Sequence, residues 1–308
     1  MMSRNISLDI LKVFLAILVV LIHLSFLRDK MVLVSQLLVN GICRQAVPIF
    51  LVISGYYFYS IKSKEKLFEW IKRLIILYIL WMFIYCYRWI GEFSFKQSIF
   101  VLGAGYLHLW YLIGTLFAGI ILYVVKSKKW LAWCIIILFF LGYFIQLLLY
   151  LEYFNKDFYE PYLSRNFLFF CFPFMGIGYL LADKKNNRFS PSLWVLFFVL
   201  LLVLAESYIS YKFLTKGGLV SFDLMLTSLL AAPLIFLYVK NKQVLGNSKN
   251  IALYSTAIYL IHPIVLHHII LLDTMELSSI VQKLLVFALI FLFSYILVLI
   301  NKKLKFIL

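Results

Sequence analysis

Long apolar runs, separated by short polar or basic connectors, recur from one end of this chain to the other. Ten of them stand out: residues 8–27, 40–60, 71–90, 106–125, 130–151, 166–182, 191–211, 221–239, 251–271 and 279–300. A hydrocarbon layer about 30 Å thick is crossed by roughly 20 apolar residues in a helix. Each run is therefore predicted to be a transmembrane helix. The connectors leave no room for a soluble second domain, so residues 1–308 are expected to form a single all-α polytopic membrane bundle of about ten helices. The first run lacks a small-residue cleavage site and is interrupted early by Lys12, which predicts an uncleaved span rather than a signal peptide.

Composition agrees with the pattern. The chain is 65% hydrophobic, with a mean hydropathy of +1.00, whereas soluble domains are closer to half apolar. A net charge of +16 would suit a nucleic-acid binder, but its distribution argues against that partner. Basic residues crowd one set of loops (Lys62, Lys64, Lys66, Lys126, Lys128, Lys129, Lys184, Lys185 and Arg188), together with both termini, while acidic residues favour the other set. The positive-inside rule then puts both termini in the cytoplasm and requires an even number of spans. The expected location is a cell membrane, specifically a bacterial plasma membrane. Cys43, Cys86, Cys134 and Cys171 show neither metal nor disulfide spacing and are expected to pack in the core.

Against this background, polar residues inside the spans carry the information, because ionisable groups there are costly and tend to mark function. Lys12 and His23 share the first span. Eleven residues bring the helix within about 20° of three full turns and raise it by about 16 Å, so both side chains point the same way near opposite ends. Asp9 lies one turn before Lys12 and offers the plainer reading, an i,i+3 pair. Lys72 and Arg73 are expected to open the third helix at the same face, where a cationic mouth suits a phosphorylated cytosolic ligand. In the second span, Arg44 is expected near the outer start, Pro48 permits a bend, and Ser54-Gly55 allows close approach or close packing. His108 and Trp110 open the fourth span, where Trp110 also fits an aromatic belt. His262 sits mid-span beside Pro263, a residue that frees a carbonyl and can open a polar niche. His267 and His268 fall near the end of that span. No Gly-rich phosphate loop, metal motif or nucleophile elbow is present. Buried polar residues in ten spans also describe a transporter or glycan exporter, although no repeat relates the two halves.

Five segments, LDILKVFLAILVVLIH, AVPIFLVISGYYF, KRLIILYILW, HLWYLIG and AIYLIHPIVL, resemble in order those of the family 3 membrane acyltransferases. These ten-helix proteins acylate cell-surface glycans and related acceptors. The resemblance implies an O-acyltransferase that takes acetyl, or another short acyl group, from cytosolic acetyl-CoA. It gives His23 the family's essential histidine position, as general base or transient acyl carrier. Lys12, Lys72 and Arg73 would then hold the donor, without a metal. Arg44, Ser54, His108, Trp110 and His262 would face the acceptor, a glycan or lipid-linked sugar, among membrane lipids. The family usually carries arginine where this chain has Lys12. Lysine supplies a point charge without arginine's planar fork, and a non-catalytic member would be the corresponding alternative.

Overall fold

A computed structural model describes residues 4–24, 31–151, 159–183, 189–214, 222–246, 250–271 and 280–308. Eleven main helices account for most of them: α1 (Ser7–His23), α2 (Val32–Phe58), α3 (Lys64–Ile84), α4 (Phe95–Ala104), α5 (Leu107–Val125), α6 (Leu131–Tyr150), α7 (Phe167–Leu181), α8 (Leu193–Leu214), α9 (Ser228–Asn241), α10 (Asn250–Leu271) and α11 (Ile280–Asn301). A two-residue antiparallel pairing, Arg4–Asn5 against Leu245–Gly246, ties the start of the chain to the segment before α10.

All ten apolar runs coincide with helices, yet their boundaries and lengths differ from expectation. Six helices among the described residues are long and apolar enough to cross a membrane: Val32–Phe58, Leu107–Val125, Leu131–Tyr150, Leu193–Leu214, Asn250–His268 and Val281–Asn301. Three others are short, with α1 at 17 residues, α9 at 14, and α7 spanning Phe167–Leu181. The run at 221–239 yields a helix only from Ser228, because residues 222–227 form turns held by side chains of α6 and α8. Residues 25–27, predicted to complete the first span, lie outside the described residues, as do Lys184, Lys185 and Arg188 of the charge map.

Two helix starts need correction. Arg44 does not begin the second helix: α2 starts at Val32 and reaches Arg44 in a 3-10 turn after a π-helical stretch, Gln36–Ile42. Lys72 and Arg73 do not open the third helix either, since α3 begins at Lys64. Ser63 caps it by accepting from the Lys66 amide at 3.3 Å. For α3 the added residues, from Lys64, are largely polar; for α2 they are mostly apolar, residues 32–39, interrupted by Ser35 and Gln36. Hydropathy alone ends a segment where water begins, whereas backbone hydrogen bonding continues as long as it is satisfied.

The core is centred on α2 and α7. A Cβ on Gly55 would meet the Met175 carbonyl oxygen at 1.9 Å, and one on Gly178 would meet that of Val52 at 2.0 Å. The two backbones therefore touch where both helices lack side chains, the close approach that small residues allow in apolar surroundings. Leu51, Val52, Ile53, Phe172, Phe174 and Met175 fill the space around that crossing. All four cysteines are free; Cys43 and Cys171 are buried in this core.

Candidate active site

Helix α1 places Lys12 and His23 at its two ends, and each end opens onto a different environment. At the His23 end three imidazoles gather. The His23 ring lies 5.1 Å from that of His262, and His262 lies 5.3 Å from His108, centroid to centroid. His108 and His262 are 4% and 0% exposed, whereas His23 is exposed. The one imidazole with an open face is thus backed by two enclosed ones.

Pro263 explains how His262 is oriented. A proline removes the amide that would bond to the carbonyl four residues earlier, here that of Tyr259. The Nδ1 atom of His262 lies 2.7 Å from that carbonyl and 3.2 Å from that of Ile258. Carbonyl oxygens only accept, so Nδ1 carries the proton and Nε2 of the neutral ring is left as an acceptor. Among the described residues that Nε2 has no hydrogen-bond partner, nor does either nitrogen of His108. Tyr259, one turn before Pro263, donates its hydroxyl to the His108 carbonyl and stands edge-on to the His108 ring at 4.9 Å.

A second polar group stands close enough to His23 to act on it electrostatically: Arg44, Arg165 and Asp223. Arg44 is paired with Asp223, and Arg165 approaches the same carboxylate at 3.6 Å. Arg44 also donates from Nε to Asn40 at 3.0 Å, and Asn40 to Gln36 at 3.2 Å. Gln36, Asn40 and Arg44 follow one another at four-residue spacing through the π-helical stretch and the 3-10 turn of α2, which keeps them on one side of the helix. Asp223 is held in turn by its own backbone. Gln146 of α6 accepts from the amides of Asp223 and Leu224 at 2.9 and 3.0 Å and donates to the Leu224 carbonyl at 2.9 Å. Glu206 of α8 accepts from the amides of Leu226 and Thr227 at 2.7 and 2.8 Å.

The Lys12 end is more open. Lys12 bonds Asp9 at 3.2 Å and sits 5.0 Å from the Tyr57 ring centroid. The i,i+3 pair therefore exists, and Lys12 still lines two adjoining cavities of about 260 and 550 Å³. Arg73, Ser54, Trp70 and Tyr111 line both; Lys66 and Glu69 join the larger, and Tyr259 the smaller. Ser54 Oγ and Tyr111 Oη are 3.0 Å apart on the shared wall. The dipeptide Ser54-Gly55 thus serves both readings, with Gly55 packed on α7 and Ser54 facing the cavity. The smaller cavity ends at Val19 and Tyr259, about one turn short of His23 and His262. Lys72 is exposed and lines neither cavity.

The expected site residues therefore divide into groups. His23, His108 and His262 meet. Arg44 stands beside them, Lys12, Arg73 and Ser54 line the cavities, and Trp110 faces a separate cavity with Arg165. His267 lies away from the cluster, bonded to Arg88, and His268 is stacked on Tyr87 at 5.8 Å. Sequence reasoning missed Arg165, Asp223, Tyr111 and Tyr259. The first two had a usable signal, as charged residues at the edges of predicted spans; the tyrosines were hidden among the 21 in the chain.

Six helices among the described residues are long and apolar enough to cross a membrane, and two of them carry His108 and His262, which marks a membrane protein with polar side chains gathered between its helices. The chain belongs to acyltransferase family 3: the family's acyltransferase domain matches residues 5–299. Among curated proteins it is similar to an amino-acid racemase of Enterococcus faecalis, 24% identical over 295 residues that cover 86% of this chain. The chain spans 42% of that relative's length. No solved structure matches it.

Proposed function

We propose that this membrane acyltransferase is an O-acyltransferase. It moves acetyl, or another short acyl group, from cytosolic acetyl-CoA to a hydroxyl of a cell-surface or lipid-linked glycan. The observation that carries this reading is the division of α1 between a cation-lined cavity at Lys12 and a three-imidazole cluster at His23. Both termini would lie in the cytoplasm of a bacterial plasma membrane, with about ten membrane-crossing or membrane-embedded segments.

Lys12 and Arg73 supply charge for the CoA phosphates, and the acyl-bearing arm runs past Ser54 and Tyr111 toward Tyr259. An alcohol is a poor nucleophile at neutral pH, so a base must take its proton as it attacks. His23, the imidazole with an open face, fills that role. The acceptor oxygen bonds to the thioester carbonyl carbon, the carbonyl becomes an oxyanion, and the carbon–sulfur bond then breaks. CoA leaves as a thiolate and takes the proton from His23. Arg44 and Arg165 stand where they can steady the oxyanion or the acceptor. Alternatively, the His23 ring nitrogen attacks the thioester carbon, the carbon–sulfur bond breaks and CoA leaves as a thiolate that takes the ring proton; the acceptor hydroxyl then displaces the imidazole, which takes up its proton.

Purified protein in nanodiscs, supplied with labelled acetyl-CoA and a glycan acceptor, should release CoA only when acceptor is present. His23→Ala should abolish that release while leaving the melting transition in place. An inserted, folded His23→Ala protein with full transfer would overturn the mechanism. Acceptor transport without CoA release would favour an exporter.

A further inference from the structure

Two histidines on α10 take no part in the imidazole cluster. His267 and His268 follow His262 by five and six residues, which sets them about 7.5 Å and about 9 Å further along the helix at about 1.5 Å per residue. Both meet a short helix after α3, Cys86–Trp89, and they meet it as consecutive pairs. Arg88 bonds to His267, and Tyr87 bonds to His268 at 3.1 Å with the two rings stacked. A third tie lies deeper. Tyr85 donates its hydroxyl to the Leu260 carbonyl at 2.7 Å, and its ring stands edge-on to that of His108 at 5.2 Å. The stretch 85–88 therefore fastens α10 on both sides of Pro263 and touches the imidazole cluster as well.

A proton affects the two outer pairs differently. A guanidinium has donors only, so His267 takes the Arg88 bond on an unprotonated Nε2. Once protonated, that nitrogen cannot accept, and an imidazolium faces a guanidinium. A phenol both donates and accepts, so the Tyr87–His268 bond survives protonation by reversing its direction. Among the described residues, the other charged or titratable groups acting on His267 are His268 and Glu92, and Tyr106 contacts Arg88. A charged His268 would add to the repulsion, while the Glu92 carboxylate offers the displaced ring another partner. His267 is only partly buried, and imidazole is the side chain that changes charge between about pH 5 and 8.

We propose that Arg88 and His267 form an acid-sensitive positioning latch, which holds the end of α10, and with it His262 and His108, in the working arrangement. The closed latch binds one proton fewer than the open one, so falling pH favours opening. Pro263 deprives α10 of the bond that would run from its amide to the Tyr259 carbonyl, so the helix is least braced where His262 sits. Release of its end therefore reaches the imidazoles. On the proposed topology this end faces outside, and the latch reads external acidity. The latch stands apart from the acyl-transfer reading; only its effect on transfer rests on it.

The test is hydrogen exchange by mass spectrometry on the full-length protein in nanodiscs, corrected for the intrinsic effect of pH. Amides of residues 264–268 should exchange at least tenfold faster at about pH 5 than at about pH 7.5, the span over which imidazole titrates. His267→Gln accepts from Arg88 through its amide oxygen at either pH, and it should stay slow at both. His268→Gln should respond as wild type does. Arg88→Met removes the donor and should exchange fast at both pH values; if it fails to fold, the two histidine variants still decide. Acid loss of acyl transfer would not suffice by itself, because His23 also takes up a proton. At about pH 5, however, His267→Gln should retain at least threefold more of its neutral-pH rate than wild type does. Exchange in wild type that ignores pH, or a wild-type response in His267→Gln, would overturn the proposal. A His267-dependent response without CoA release from acetyl-CoA would leave the latch and refute the enzymatic reading. Transfer without such a response would refute the latch alone.

Discussion

The two ends of α1 are built on opposite plans. At the Lys12 end the cations are partly or fully exposed and several share one opening, with Lys12 paired to the buried Asp9. At the His23 end the neighbours are at least partly buried and tied down: His262 by the carbonyl that Pro263 frees, Arg44 by Asn40 and Asp223, and Asp223 by the Gln146 clamp on its backbone. Exposed, replaceable charges change how tightly a ligand is held. Fixed groups around one open imidazole change how fast a bound ligand reacts. The difference predicts that variants at the first end act on KM and variants at the second on kcat.

The largest effect should come from His23→Ala, which removes the proposed base and is expected to cut kcat by about 100-fold or more, in the range for a lost general base. A change in KM alone would break the comparison. His262→Asn comes next. It removes the Nε2 acceptor while an amide N–H remains near the Tyr259 carbonyl, and acetyl transfer should fall about tenfold in kcat with little change in KM. Asp223→Asn leaves two partly buried guanidiniums without their carboxylate. It should lower stability by about 1–3 kcal/mol, as for charge-assisted hydrogen bonds, visible as an earlier melting transition, together with slower transfer. Lys12→Ala should raise the KM for acetyl-CoA about tenfold, the scale of one lost ion contact of about 1.4 kcal/mol. Of the neighbouring cations, Arg73→Ala should raise that KM further than Lys72→Ala, because Arg73 lines the cavities and Lys72 does not. Equal effects would show that the mouth works by summed charge rather than by position.

The plan of the molecule was largely legible in its sequence. Helices of this kind announce themselves by composition, and His23 and Lys12 were conspicuous because ionisable groups inside apolar runs have few structural reasons to be there. The Pro263 niche was also readable, since the consequence of a missing amide is local. What could not be read was anything that depends on which helix lies beside which. Arg165 and Asp223 are 58 residues apart in number yet share a contact, and each resembles an ordinary boundary charge in isolation. Helix limits were misjudged where α3 begins in polar residues and where α2 begins at Val32 and passes through a π-helical stretch before Arg44. Hydropathy measures the solvent around a helix and cannot report a backbone that changes its hydrogen-bonding pattern.

The Gly55–Gly178 crossing has a mechanical consequence. Two backbones in van der Waals contact cannot slide or separate without losing the whole interface at once, so α2 and α7 act as the rigid chassis of the bundle. The cavity from Lys12 stops one turn short of the imidazoles, and on the proposed acyl-transfer reading a thioester has that gap to cross. Any parting that opens the gap falls to the helices around the chassis, and it has to pass Tyr111 and Tyr259, whose hydroxyls are tied to Ser54 and to the His108 carbonyl.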